Sequence, residues 1–235
     1  MQSTERNYRQ QQEDPEVLVQ GDLILWESLG IAIQRDLHTA VPVPYDLEYF
    51  QKYCGYEGSQ IACAINRGRV ALVQRYCPDR DIVDIGIGSG EFLRACDAIR
   101  KASNYGFDVN PHGIDLLKKR ERFLNPYDGL PRSLGAMTCW DSLEHLRDPS
   151  ALVRCLYPGQ FIFLSLPIFE DLHRVRESKH YRPNEHFYYF TDRGLVRWFK
   201  GHGFVLVEKS SFEIAAGREA IYSYVFLRID PRDPS

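Results

Sequence analysis

The sequence predicts an α/β fold built on a doubly wound, mainly parallel sheet, and three observations predict it. From residue 81 onward, short apolar runs alternate with helical patterns. The run Ile82–Ile85 passes directly into glycines at alternate positions, Gly86, Gly88 and Gly90, with a helical pattern behind them. Two pairs, Asn110-Pro111 and Asp148-Pro149, each mark a helix start, the first residue capping and the proline occupying the first turn, where its missing N–H is not needed.

Taken in order, residues 1–16 are rich in Gln, Glu and Arg, and are expected to form a mobile tail. An N-terminal extension or cap, largely helical, is expected over 17–78. Within it, Leu23–Trp26 and Ile31–Ile33 read either as a hairpin around Ser28-Leu29-Gly30 or as pieces of a helix. Val41-Pro42-Val43-Pro44 is a stiff extended break. Tyr45–Tyr76 reads as mostly helix: Ile61, Ala64, Ile65, Val70, Val73 and Tyr76 recur at about helical spacing and leave Arg67, Arg69 and Arg75 on the more polar side. The main domain is expected over 79–230. Phe92, Leu93, Cys96 and Ile99 mark one face of its first helix, and Asn104–Phe107 is a short strand ending in Asp108. Leu116 and Leu117 carry the next helix into a solvated charged end, Lys118–Arg122. Phe123–Leu134 is compressed, either a short strand or a loop. Ala136–Cys139 and Phe161–Leu166 read as the following strands, the second being the clearest in the chain. A polar insert, 169–190, precedes Thr191, which caps a helix over Gly194–His202 that Gly203 ends. Phe204–Glu208 and Ile221–Leu227 are expected to close the sheet as an antiparallel pair.

A chain of 235 residues, 44% hydrophobic, suits one domain with added segments or at most two small ones, with a sizeable core. With 29 basic and 32 acidic residues, it offers no broad basic footprint for nucleic acid or an anionic membrane. The six cysteines include no C-x-x-C pair and read as reduced, mostly buried thiols. No apolar run reaches the roughly 18–20 residues of a bilayer span. The polar, acid-bearing start resembles neither a signal nor a transit peptide, so a soluble cytoplasmic protein is expected.

Glycine lets a strand turn sharply into a helix while its backbone passes close to a ligand. The spacing here is G-x-G-x-G, tighter than the G-x-G-x-x-G of dinucleotide-binding turns. Asp108 stands 22 positions after Gly86, where a carboxylate at a strand end can accept both hydroxyls of a ribose. An aspartate there otherwise caps a helix, but Asn110 fills that role better.

In order and spacing, Asp84–Gly90, Gly106-Phe107-Asp108, Trp140–His145 with Asp148-Pro149, Leu164–Pro167, Phe190-Thr191 and Gly203-Phe204 resemble the class I S-adenosylmethionine (SAM) methyltransferases. The likeness covers roughly residues 80–228 and is strongest to small-molecule enzymes of the ubiquinone-biosynthesis O-methyltransferase type. It implies a Rossmann-like, seven-stranded sheet whose last strand is antiparallel. SAM, released as S-adenosylhomocysteine, would lie across the carboxyl ends of the first strands. It further implies that Gly86, Gly88 and Gly90 contact the methionine part, with Asp84 orienting the loop. Asp108 would hold the ribose, Val109 would pack on adenine, and Cys139 or Trp140 would line the methionine moiety. Relatives often place an acid against the adenine amino group within a region that is shortened here to 123–135, where Asp128 could serve.

The reaction implied is an in-line displacement, which chiefly needs a nucleophile held on axis; positioning of this kind supplies on the order of 7–11 kcal/mol. A hydroxyl acceptor also needs a base, and two histidines are candidates: His145, behind the fourth strand, and His186, within Arg182–Phe190. Each also reads as a packing or hydrogen-bonding residue. Asp141-x-x-Glu144-His145 resembles the cluster through which some quinone O-methyltransferases hold a divalent cation that polarises a catechol-like hydroxyl. Relatives without metal carry the same Glu-His pair, so metal is an alternative and not the expectation. Tyr45, Tyr49, Phe50, Tyr53 and the aromatics of 181–190 either roof a pocket or pack the core. Lys179 and Arg182 either receive an anionic group or are solvated.

The acceptor is accordingly expected to be a small molecule, and a homo-oligomer is compatible with the sequence. Three other classes remain as alternatives. A phage-type nucleic-acid methyltransferase would need an Asn/Asp-Pro-Pro-aromatic motif where this chain has Cys139-Trp140-Asp141-Ser142, or a Pro-Cys nucleophile, and both are absent. A non-catalytic module of the same fold is the second. A nicotinamide-dependent oxidoreductase, the third, is disfavoured by the glycine spacing.

Overall fold

The computed structural model describes residues 17–38 and 46–230. The tail expected over 1–16, the Val41–Pro44 break and Tyr45 lie outside the described residues, as do the side chains of Tyr49 and Tyr53. In chain order the strands are β1 (Val17–Gln20), β2 (Leu23–Trp26), β3 (Ile31–Gln34), β4 (Ile82–Ile85), β5 (Asn104–Phe107), β6 (Ala136–Trp140), β7 (Phe161–Pro167), β8 (Tyr188–Phe190), β9 (Phe204–Ser210) and β10 (Ile221–Arg228). The helices are α1 (Leu47–Cys54), α2 (Gln60–Tyr76), α3 (Glu91–Ile99), α4 (Pro111–Lys118), α5 (Pro149–Val153), α6 (Asp192–Gly201) and α7 (Phe212–Ala215).

Six strands form the main sheet in the order β5-β4-β6-β7-β10-β9. The first four are parallel, and the last, β10, runs antiparallel to both β7 and β9. Alternation along the strands sorts the apolar residues into two layers, as a sheet covered on both faces requires. Val83, Ile85, Met137, Cys139, Ile162 and Leu164 pack with Leu152, Leu195 and Phe199 on one face. Ile82, Ala136, Trp140, Phe163 and Val225 pack with Val70, Val73, Phe92 and Leu93 on the other. This is the doubly wound, Rossmann-like architecture that the sequence predicts. At the place of a seventh strand the compressed segment makes a single parallel bridge, Phe123 to Gly106. It extends no further because Pro126, which has no N–H to pair, opens a short 3-10 turn over Pro126–Asp128.

The three expected helix caps are all in place. Asn110 accepts from the His112 N–H (2.9 Å), Asp148 from Ala151 (2.9 Å) and Thr191 from Gly194 (3.0 Å). The helix behind Thr191 therefore starts at Asp192, two residues earlier than the sequence suggests.

In the N-terminal extension the hairpin alternative is the one adopted, and helix begins only with α1. Strands β1, β2 and β3 form an antiparallel meander that takes its fourth strand, β8, from the end of the insert. Leu23, Leu25 and Ala32 share a small core with Phe169, Leu172, Val175 and Tyr189. The insert's aromatics are thus largely packing residues, with Phe187, Tyr189 and Phe190 buried. Further on, the extension leans on the starts of α3 and α4. Glu57 pairs with Arg94 (2.9 Å), and the Gly58 N–H donates to Glu91 (3.0 Å). The Asn110 amide donates to the Asp46 carbonyl, and Phe50 meets the His112 ring. No helix among the described residues is long and apolar enough to cross a membrane.

Candidate active site

The carboxyl end of β4 runs into the glycine bend, whose first amide, Gly86 N–H, donates back to Phe107 at the end of β5 (2.8 Å). Gly86 has φ +75°, and a Cβ there would sit 2.9 Å from the Cβ of Ser142, so the turn after β6 closes on bare backbone. Gly88 is different. Its φ is +53°, yet a Cβ would meet no protein atom within 4 Å, so the space over it is open. Gly90 caps α3 without a side-chain partner, leaving the first amides of that helix to face an anion or polar group.

Asp108 stands beside this bend. It is 8% exposed; one carboxylate oxygen accepts from Asn110 N–H (2.8 Å) and the other from Gly88 N–H (3.3 Å). Burial pushes its carboxyl above the ordinary range although these amides favour the charged form. Val109, next to it, is exposed. Beneath the bend, Asp84 is buried and accepts from the Thr138 hydroxyl (2.6 Å), and burial pushes it up to about 7. Trp140 lies on the same layer as Ile87 and Phe92, and its indole N–H has no hydrogen-bond partner among the described residues. Cys139 does not line the bend: strand alternation turns its thiol into the opposite layer with Met137, where it is fully buried. Asp128 is exposed on its 3-10 turn.

A buried charge network, absent from the sequence reading, holds the turn after β6. Arg69, expected on a polar face of α2, is 9% exposed; it donates to Glu213 (2.9 and 3.1 Å), to Asp141 (2.9 Å) and to Ser165 (3.0 Å). Arg218 grips Asp141 in fork fashion (2.8 and 3.0 Å) and also donates to Glu213. Burial would raise the Asp141 carboxyl, but Arg218 and Arg69 outweigh it and hold it well below the usual range. The grip also sustains a left-handed backbone at Asp141, φ +55°. Asp141 is thereby committed to two guanidiniums, and the group of ligand-capable side chains that includes Glu144 and His145 does not include it. Helical spacing groups Arg69 with Arg67 and Arg75 on the more polar side, so the sequence carries no distinct signal for this network.

Beyond that turn, Glu144, His145 and His186 come together. Their ligand-capable atoms all lie within 4.8 Å of one another. The two imidazoles meet edge to face, with centroids 4.6 Å apart. Glu144 is 1% exposed and neither carboxylate oxygen has a hydrogen-bond partner among the described residues; burial pushes it up to about 8. Burial pushes His145 down to about 4 and His186 to about 3, so both are neutral at pH 7 and weak as bases. Backbone bonds fix the loop that brings His186 in: Phe187 N–H donates to the Glu144 carbonyl (2.8 Å) and His186 N–H to that of Arg182 (2.8 Å). Gln34, buried on β3, exchanges two bonds with Asn184 (2.9 Å each), a contact the sequence gave no sign of. Lys179 and Arg182 are engaged by Glu219 and Glu185.

A model of the methyltransferase domain matches residues 52–209. No curated protein matches the chain. Among solved structures, the chain is similar to a SAM-dependent methyltransferase from Aquifex aeolicus (10% identity, 77% of this chain and 98% of that one, TM-score 0.56). It is similar also to the 1,6-didemethyltoxoflavin-N1-methyltransferase of Burkholderia thailandensis (13%, 92% and 100%, 0.53). A third is the magnesium protoporphyrin IX methyltransferase of Synechocystis PCC 6803 (15%, 77% and 93%, 0.52). At these identities the likeness is one of fold.

Proposed function

Because the chain belongs to the methyltransferase-domain family, we propose that it transfers a methyl group from SAM to a small-molecule acceptor by in-line displacement. The observation that carries this reading is Asp108, a buried carboxylate held by the Gly88 and Asn110 amides beside a glycine bend with open space over it. That cradle fits a nucleoside carrying a short zwitterionic tail. Gly86, Gly88 and Gly90 give backbone approach, Asp108 accepts the ribose hydroxyls, and Asp84 steadies the bend from below. Val109 offers an exposed apolar surface for the base, and Trp140, packed with Ile87 and Phe92, lines the methionine side. The Aquifex, Burkholderia and Synechocystis proteins are described as SAM-dependent or bear bound S-adenosylhomocysteine, which supports the same cofactor here.

Once bound, that cofactor supplies a methyl group already activated on sulfonium. The chain's own work is then to orient the acceptor and exclude water. The acceptor sits against His145, which keeps some surface while Glu144 and His186 are buried behind it. Calorimetric titration with S-adenosylhomocysteine tests the reading. Asp108→Ala removes charge-assisted hydrogen bonds of about 1.5–3 kcal/mol each, so affinity should fall roughly ten- to hundredfold or more. Asp108→Asn serves as the shape-preserving control for folding. Unchanged affinity in both variants refutes the ribose assignment. Transfer of labelled methyl from SAM to fractionated metabolite extracts then identifies the acceptor.

A further inference from the structure

We propose that Glu144, His145 and His186 bind one divalent transition-metal ion, which ties the loop carrying His186 to the turn after β6. Glu144 and His145 are neighbours on a short 3-10 turn, Leu143–His145, at the carboxyl end of β6. His186 arrives from a loop 41 positions further along the chain. Their ligand atoms nonetheless converge within 4.8 Å.

The carboxylate supplies an independent observation. Glu144 is 1% exposed, and both its oxygens lack a hydrogen-bond partner among the described residues. A buried carboxylate with neither oxygen satisfied is expensive, and a cation between it and the two imidazoles removes that cost. Both oxygens are buried from solvent, a setting that suits a small ion between three side chains better than an organic ligand. One carboxylate oxygen and two imidazole nitrogens suit first-row divalent ions such as Zn²⁺ or Co²⁺; Mg²⁺ and Ca²⁺ prefer all-oxygen sets.

The scaffold pre-forms the arrangement. Phe187 N–H donates to the Glu144 carbonyl, directly behind the carboxylate, and the Gln34–Asn184 pair fixes the loop from the other side. Asp141 is excluded from the ligand set because Arg69 and Arg218 hold it. The tie therefore joins the main sheet to the insert, and through β8 to the N-terminal meander. Neither the ligand set nor its test depends on the methyl-transfer reading.

The test is a Co²⁺ titration of the metal-stripped full chain, followed by its visible d–d absorption and by competition with Zn²⁺. One equivalent should bind. Glu144→Gln and His186→Ala should each weaken it by at least roughly 100-fold, the upper end of what changes outside the ligand sphere cost. Asp141→Asn and Asp108→Ala should keep it. In the unaltered protein, stripping the metal should speed proteolytic cleavage within residues 169–187, a readout that needs no variant to fold. Absence of stoichiometric uptake at micromolar Co²⁺ overturns the proposal. So does uptake that survives both ligand substitutions, or that disappears with Asp141→Asn in a folded protein.

Discussion

Replacing Arg69 by Met probes the buried charge network at the turn after β6. The substitution preserves most of the stem's bulk and removes the guanidinium that serves Glu213, Asp141 and Ser165. Glu213 is fully buried and keeps, among the described residues, only Arg218 and Ser223 as partners. Removing one partner of a buried pair costs about 3–5 kcal/mol, because the other charge stays behind without compensation. In a chain of this size about 1 kcal/mol corresponds to roughly 2–4 °C, so Tm should drop by about 6–20 °C. Urea unfolding followed by circular dichroism on Arg69→Met, Glu213→Gln and the double variant measures the effect. The double variant should be less destabilised than the two single losses summed, since it leaves no unpaired charge. The sign with pH follows from Asp141, whose folded pKa is depressed. Its contribution is present above the unfolded value, about 4, and is lost as pH falls below it. The gap between native protein and Arg69→Met should thus be widest near neutrality and narrow in acid. A loss below about 1 kcal/mol, the size of a surface pair, would refute the reasoning, as would strict additivity.

Gly88→Ala meets no atom, so its stability cost is only that of a left-handed alanine, about 1–2 kcal/mol. Its methyl fills the open space, and S-adenosylhomocysteine affinity should fall well beyond that of Gly58→Ala, an equally open left-handed control; equal affinities would remove the bend from the cofactor site. Asp84 gives the opposite pH sign to Asp141. It keeps its proton up to about 7 when folded but releases it near 4 when unfolded, so native stability falls as pH rises between those values. Asp84→Asn should lack that loss and gain up to about 4 kcal/mol relative to the native chain from pH 4 to 8. Urea midpoints that move in parallel for both proteins would contradict it.

How much was legible in advance follows from how local each signal is. The apolar run into the glycine bend, the three caps and the strand Asn104–Phe107 are encoded within a few neighbouring residues, and each was found where the sequence places it. The N-terminal meander was ambiguous because four-residue strands carry too few positions to separate period 2 from period 3.6. Arg69 looked solvated because helical spacing reports the side of the helix, not what faces it; Glu213 and Asp141 come from 144 and 72 positions away. The chemistry at His145 was half-readable. Its neighbour Glu144 is adjacent in sequence, but the partnership with His186, and the withdrawal of Asp141, depend on side chains that meet only in three dimensions.

The pairing of β3 with β8 sets an order of events for a nascent chain. Ile31 stands in register opposite Phe190, 159 positions later, so these early strands wait for a distant segment before their sheet is complete. The meander's small core is completed by Phe169, Leu172, Val175 and Tyr189 from the insert, and contacts so distant in sequence form slowly. Docking of β8 carries His186 and Asn184 with it, so the meeting of His186 with His145 waits for that strand. A chain cut short of residue 184 would keep the glycine bend and Asp108 in its sequence while lacking the imidazole that Glu144 and His145 meet in the finished fold.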